Sequence, residues 1–326
     1  VDATNDARTR TSWARRLLPA ALLGLAACHA VPPAAPPPAD PGPPPASQTR
    51  LASARPSPSA PVSAGETTLA GVACLAPARL SLARLGAGAV LSAELGPIEG
   101  PFAVLEGHTA VLLVGGRLVE ATTGATVTLA RPGEAEPRVV GLARRPAGPL
   151  VLVVGRRLEV RTRQGLVPLV PLPGDGWQVT CGPGATYLHD PAARPGAVHA
   201  IDDDLRTATL LELADGVTAV CPTSDGVAVG TPGVVWRLSP GAAPSTALRL
   251  EGLRPVGLAH DPRTGTLFVS DGQQVLAVVD GVPLPLVEGL GGTLACVDEG
   301  AETALWILDP ARRVLARVAP LDWLGR

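Results

Sequence analysis

Glu106, Arg144 and His260 are the residues of this chain whose types could do chemistry together. A carboxylate, a guanidinium and an imidazole can serve as acid, anion anchor and base near neutral pH. All three fall at one position of a recurring block, so whatever element repeats there decides whether they meet. The other reactive side chains scatter. Of the five histidines, His29 stands near the N-terminus, and His108, His189 and His199 occupy other positions of the block. His189-Asp190-Pro191 lies in register with Leu308-Asp309-Pro310, which explains Asp190 and Pro191 as turn formers and gives His189 no chemical role. Asp202-Asp203-Asp204 offers oxygens of the kind hard cations favour. Three carboxylates in a row cannot all face one ion along a strand, however, and a solvated turn is the simpler reading. No serine sits in a Gly-x-Ser-x-Gly elbow. There is no Cys-x-x-Cys, His-Glu-x-x-His or phosphate-binding glycine loop. The sequence therefore defines no catalytic set, no metal-ligand set and no cofactor.

The positioning elements are short strands. Val140-Gly-Leu-Ala-Arg144 and Val256-Gly-Leu-Ala-His260 are the clearest pair of blocks, each followed by a turn, an apolar strand, a glycine turn and another strand. Related blocks end at Cys74, Glu106, Cys181, Cys221 and Cys296, so the seven markers are spaced by 32, 38, 37, 40, 39 and 36 residues. A glycine or aspartate turn follows the second strand of each unit, at Gly86, Gly115, Gly155, Asp190, Gly230, Asp271 and Asp309. No stretch after residue 62 keeps an uninterrupted 3.6-residue apolar period, which argues against helix. Short strands in units of about 40 residues mark an all-β fold, the β-propeller. Seven markers predict seven blades, with six as the alternative if the first unit is closing structure. The last unit lacks sequence for a fourth strand after Val318, and Glu66–Ala70 is the expected closing strand. If each marker ends an innermost strand, all seven ring one channel mouth, with Glu106, Arg144 and His260 as its polar groups. Such a rim could take a small anionic or polar ligand anchored by Arg144, or be a satisfied rim around trapped water.

Pro255 to Val279 carries a proline before the inner strand, an Asp-Pro-x-x-Gly turn from Asp261 to Gly265, and a Val-x-Asp turn at Val269 to Asp271. It resembles an NHL-type or YVTN-type propeller repeat; the other units match loosely. The gluconolactonase-like branch of such propellers implies glutamate, asparagine and aspartate around a divalent cation. The lone asparagine is Asn5, so that site does not carry over.

The N-terminus speaks of location. Arg8, Arg10, Arg15 and Arg16 precede an apolar run from Leu17 to Ala27, the pattern of a secretory signal. The run is too short to span about 30 Å of hydrocarbon. Leu25-Ala26-Ala27-Cys28 resembles the lipobox of bacterial lipoproteins, which implies diacylation of Cys28 and removal of residues 1–27. A cut near Ala27 leaving a free cysteine, or a spanning anchor, are the alternatives. In the same family the residue after the lipidated cysteine sorts the protein, and His29 in place of aspartate implies the outer membrane. Twelve prolines between Val31 and Pro61 preclude helix or sheet. Residues 28–63 thus read as a lipidated N-terminus and a disordered spacer of at most about 90 Å, a tether, with docking to a proline-recognition groove as the alternative. Residues 64–326 form the propeller.

Four of the 27 basic and two of the 29 acidic residues precede Cys28, leaving 23 against 27, a formal net of −4. That balance excludes nucleic acid as an expected partner. Export makes disulfides possible for the four later cysteines. Their shared marker position predicts Cys181–Cys221 and a ring clasp Cys74–Cys296, against the alternative of four buried thiols. Two functions remain. One is a non-enzymatic envelope lipoprotein binding a protein or glycan partner, which the lack of a convergent catalytic set favours. The other is a hydrolase or lyase acting on a small periplasmic substrate, with His260, Glu106 and Arg144 as acid-base candidates.

Overall fold

The computed structural model describes residues 71–82 and 97–325, apart from 106–108, 122, 131–133, 147 and 241. The signal segment, Cys28, the proline-rich stretch, Glu66–Ala70 and Glu106 lie outside the described residues. Two short strands come first, β1 (Ala73–Cys74) and β2 (Arg79–Leu82). Six antiparallel sheets follow in chain order. Blade one is β3 (Ile98–Val104), β4 (Ala110–Val114) and β5 (Arg117–Glu120). Blade two is β6 (Val139–Arg144), β7 (Leu150–Val154), β8 (Arg157–Thr162) and β9 (Gly165–Pro171). Blade three is β10 (Gln178–Gly182), β11 (Ala185–His189), β12 (Gly196–Asp202) and β13 (Thr207–Leu213). Blade four is β14 (Ala219–Thr223), β15 (Gly226–Thr231), β16 (Val234–Leu238) and β17 (Ser245–Arg249). Blade five is β18 (Gly257–His260), β19 (Leu267–Ser270), β20 (Gln274–Val279) and β21 (Val282–Glu288). Blade six is β22 (Thr293–Asp298), β23 (Thr303–Asp309) and β24 (Val314–Ala319). Among the described residues no helix is long and apolar enough to cross a membrane.

The molecule is a six-bladed β-propeller, the alternative count left open by the sequence rather than the expected seven. The core makes the count. Apolar side chains form six separate clusters, each drawn from two neighbouring blades, and one of them joins blade six (Trp306, Leu308, Leu315) to blade one (Phe102, Leu112). Chain order is therefore ring order. Strands sandwiched between two neighbours need apolar residues on both faces, hence the unbroken Leu-Val-Leu-Val-Val of β7 and the wholly buried β23. The outermost strands are polar or exposed, and β21 carries Pro283 and Pro285, which cannot donate to an added strand. Near the axis the blades converge so closely that glycine is required. A Cβ on Gly257 of β18 would sit 2.2 Å from the Gly292 carbonyl of the next blade.

The unit that begins at Cys74 is not a blade. β1 adds to the outer edge of blade five, pairing Ala73 with Glu288 and Cys74 with Val287. β2 then supplies the outermost strand of blade six, pairing with β24 from Arg79↔Ala319 to Leu82↔Ala316. Closure by an N-terminal strand is the expected device, but the strand that performs it is Arg79–Leu82.

Candidate functional site

The inner strands β3, β6, β10, β14, β18 and β22 surround a central channel of about 840 Å³. Their C-terminal ends form one mouth, their N-terminal ends a second. Arg144 ends β6 at the first mouth, half-buried and braced to backbone: its Nη1 donates to the Val104 carbonyl of blade one at 3.2 Å, and its Nε to Gly148 O at 3.4 Å. Arg145 follows, and its guanidinium reaches Asp203 of blade three at 3.4 Å. His260 ends β18 on blade five, which stands across the ring from blade two. Its imidazole is half-buried, and desolvation holds it below the ordinary histidine range although Asp261 and Asp225 pull it upward. The ring is thus neutral at pH 7 and can accept a proton.

The carboxylates nearby are largely committed. Asp261 is fully buried, accepting the Arg263 N–H at 2.9 Å and the Thr264 hydroxyl at 2.8 Å, which shapes the Asp-Pro-x-x-Gly turn. Asp225 is held down chiefly by its 2.6 Å hydrogen bond from Arg237. Asp298 ends β22 and accepts the Gly300 N–H at 2.8 Å. Arg144 and Arg145 line one part of the first mouth and His260 and Asp298 another, where Arg263 pairs with Asp298 at 3.9 Å and Arg237 adds a further positive charge near His260. Asp202 ends β12 half-buried, and Asp203 and Asp204 form the exposed turn after it, where Arg206 pairs with Asp204 at 3.1 Å.

All four thiols of the described region are free, so neither expected disulfide is formed. Cys74 is not in the ring; it sits on the outer edge of blade five. Cys181 and Cys221 do stand on neighbouring inner strands, but their side chains enter different cores. Cys181 packs between blades two and three, Cys221 between blades four and five. Burial raises the Cys181 thiol to about 11 and the Cys221 thiol to about 12, and also lifts Cys296. Thiols so protonated are poor nucleophiles at neutral pH. Among the described residues no three His, Cys, Asp or Glu side chains are grouped to hold a metal ion. The divalent-cation site implied by the gluconolactonase resemblance therefore does not fit them.

His189 belongs to the channel although its sequence register gave it no role. It closes β11, level with Gln178, and lines the second mouth at 6% exposure. Burial lowers its pKa to about 4, against weaker upward pulls from Asp190 and a backbone hydrogen bond with Thr218. An unfolded histidine titrates near 6.5. As pH falls, the unfolded chain therefore binds this proton first. The stabilisation is full above about pH 6.5 and is lost as pH drops towards about 4, by at most about 3 kcal/mol at 1.36 kcal/mol per unit. Urea midpoints at pH 7.5 and 4.5 should show this loss in the wild type and a smaller one in His189→Leu. Parallel losses in both chains would contradict the buried ring.

No family model matches the sequence, and no curated protein matches it either. Solved structures do share the fold. One, described as a gluconolactonase from Xanthomonas campestris, superposes with a TM-score of 0.57 at 19% identity, covering 75% of this chain and 90% of the other. A catalytically inactive histidine-to-alanine variant of virginiamycin B lyase from Staphylococcus aureus, with quinupristin, superposes at 0.50 and 12% identity over 76% of this chain and 90% of that one. At such identities the likeness concerns architecture, and this chain is similar to these proteins in being a β-propeller.

Proposed function

We propose that this protein is a lipid-anchored envelope enzyme of the hydrolase or lyase class, acting on a small molecule at the first mouth of its propeller. The observation that carries the reading is His260, half-buried, its pKa held down by burial, at the channel mouth that Arg144 and Arg145 also line. A neutral imidazole there can take a proton from an attacking water or from the substrate itself, and the arginines can hold an anionic or polar group. The sequence alone favours a scaffold; a channel mouth that gathers a burial-shifted imidazole with Arg144 and Arg145 favours chemistry. The activities named for the two structural neighbours, a gluconolactonase and a virginiamycin B lyase, agree with that class.

The test is turnover by the intact chain on a panel of lactones and on quinupristin. General acid-base contributions run to about 10²–10⁴-fold. His260→Ala should therefore lose at least about a hundredfold in kcat/KM with its melting temperature kept, while Arg144→Ala should mainly raise KM. Full activity in His260→Ala, or no turnover by the wild type on any member, would sink the reading. The anchor and the outer-membrane location rest on the lipobox. Intact-mass analysis should find a diacylglycerol on Cys28 with residues 1–27 absent, and Cys28→Ala should release the protein from membranes.

A further inference from the structure

The face around the second mouth is unevenly charged. Arg117 opens β5 and is level with Val114, which is level with Ile98 at the start of β3. Arg138 stands directly before β6, where the Val139 N–H donates to the Gly116 carbonyl at 2.8 Å. The stem of Arg138 runs over the β4–β5 turn, since a Cβ on Gly116 would meet Arg138 Cγ at 2.7 Å. Arg156 and Arg157 follow Gly155 in the β7–β8 turn, level with Val139 through the pairs Val139↔Val154 and Val154↔Arg157. Register thus sets four arginines close together on this face of blades one and two, and all four are exposed.

Other arginines of the ring are neutralised. At the first mouth Arg145, Arg237 and Arg263 pair with Asp203, Asp225 and Asp298, and on the second face Arg312 pairs with Asp309 at 2.8 Å. Among the described residues no carboxylate lies within ion-pair distance of Arg117, Arg138, Arg156 or Arg157. Glu159, on which Arg157 exerts a downward pull, is itself buried. None of the four lines the channel, so their charge is presented outward. Pro97, Pro171 and Pro173 stand exposed among them and add shallow apolar surface. The chain also enters the ring on this face. Ala73 is level with Glu288 and, through it, with Gln274 at the start of β20, so the residues before β1 join at the second mouth.

We propose that this arginine face docks on an anionic lipid surface, which turns the second mouth towards the membrane and leaves the first mouth, with His260, facing away. Uncompensated cations spread over neighbouring turns match a plane of negative charge, and the entry of the chain on the same side suits attachment from that plane. The docking needs neither the lipid on Cys28 nor the proposed reaction.

Flotation of the full-length Cys28→Ala chain with vesicles tests this without an acyl chain contributing. Binding to vesicles of equal parts phosphatidylglycerol and phosphatidylcholine should exceed binding to phosphatidylcholine alone, and the preference should fade as sodium chloride screens it. Each arginine near an anionic surface contributes about fivefold, so replacing Arg117, Arg138, Arg156 and Arg157 by glutamine should cut the preference by at least about a hundredfold. The pair Arg156→Gln, Arg157→Gln should cut it by at least about tenfold, and decides the matter if the fourfold variant fails to fold. Arg163→Gln with Arg206→Gln, in turns on the first-mouth side, should leave it unchanged. Equal binding to both vesicles, or an undiminished preference in the arginine variants, would overturn the proposal. Release by inorganic phosphate at constant ionic strength would overturn it in favour of a free anion, and capture by heparin without vesicle binding in favour of a glycan.

Discussion

A chain that starts after Leu82 is expected to lose its native fold at 37 °C or to survive only as an aggregating species. The segment removed contains β1 and β2, and the loss falls on both of the last blades. β2 pairs with β24 over four residues, Ser81 adds a hydroxyl bond to the Arg317 carbonyl at 3.4 Å, and Ala78, Leu80, Cys74 and Leu75 all pack on the core between blades five and six. Ladder bonds at about 1 kcal/mol each, with the half-buried Leu75 and Leu80 adding about 1 kcal/mol apiece, together approach the 5–15 kcal/mol margin of a whole domain. The truncation would also bare β24, whose Val-Leu-Ala-Arg-Val-Ala sequence is an apolar edge able to pair with another chain. Urea denaturation and light scattering on the truncated and intact chains measure both effects. An unchanged urea midpoint would show that the ring is held shut by something else.

Arg317→Ala should be the most damaging point substitution on blade six, at about 3–5 kcal/mol, the usual cost of breaking a buried ion pair from one side. Arg317 on β24 reaches across the sheet to Glu299, with Nε at 3.0 and 3.1 Å from the two carboxylate oxygens and Nη2 on Oε2 as well. Nη2 also contacts Glu302 at 2.5 Å, and the Trp306 indole donates to Glu299 at 3.2 Å. The Glu299 side chain is 7% exposed, so without the guanidinium its buried charge loses its bidentate countercharge. The double variant Arg317→Ala, Glu299→Gln removes that charge and should recover at least half of the loss in urea midpoint. Equal destabilisation of the single and double variants would mean that packing of the arginine stem, rather than charge, is what the site needs.

Much of this architecture was legible because each blade writes its own local pattern. Arg144, Cys181, Cys221, His260 and Cys296 all lie on innermost strands, as the repeat alignment required. Cys74 misled because Ala70-Gly-Val-Ala-Cys74 has the composition of an inner strand, and composition says nothing about which edge a strand joins. Spacing did: the interval after Cys74 is 32 residues where the others run from 36 to 40. The closing strand was missed for a related reason. Arg79-Leu-Ser-Leu82 pairs with residues more than 230 positions away, and a short alternating segment carries no mark of so distant a partner. The Cys181–Cys221 pairing failed on side-chain direction, since cysteines on adjacent inner strands can point into different cores, and Cys74–Cys296 failed because Cys74 lies on the outer edge of blade five. His189 carries a signal in its place in the repeat. It stands where the aligned unit has Leu308, a fully buried position, and an imidazole in a leucine's place is either a penalty or a tool.

The closure also sets a timetable for biosynthesis. Ser81 and Arg317, bonded in the finished ring, are 236 residues apart in the order of synthesis. At about 5–20 residues per second, the outer strand of blade six exists for roughly 12–50 s before its partner is made. For that time a strand born first must wait for the sheet born last. Its alternation of arginine and serine with leucine suits the wait, because a charged, half-polar strand is a poor template for the wrong neighbour. A nascent chain stalled short of Val314 would therefore hold five complete blades, β1 docked and β2 still unclaimed, which makes the arrival of β24 the step that turns an open fan of sheets into a ring.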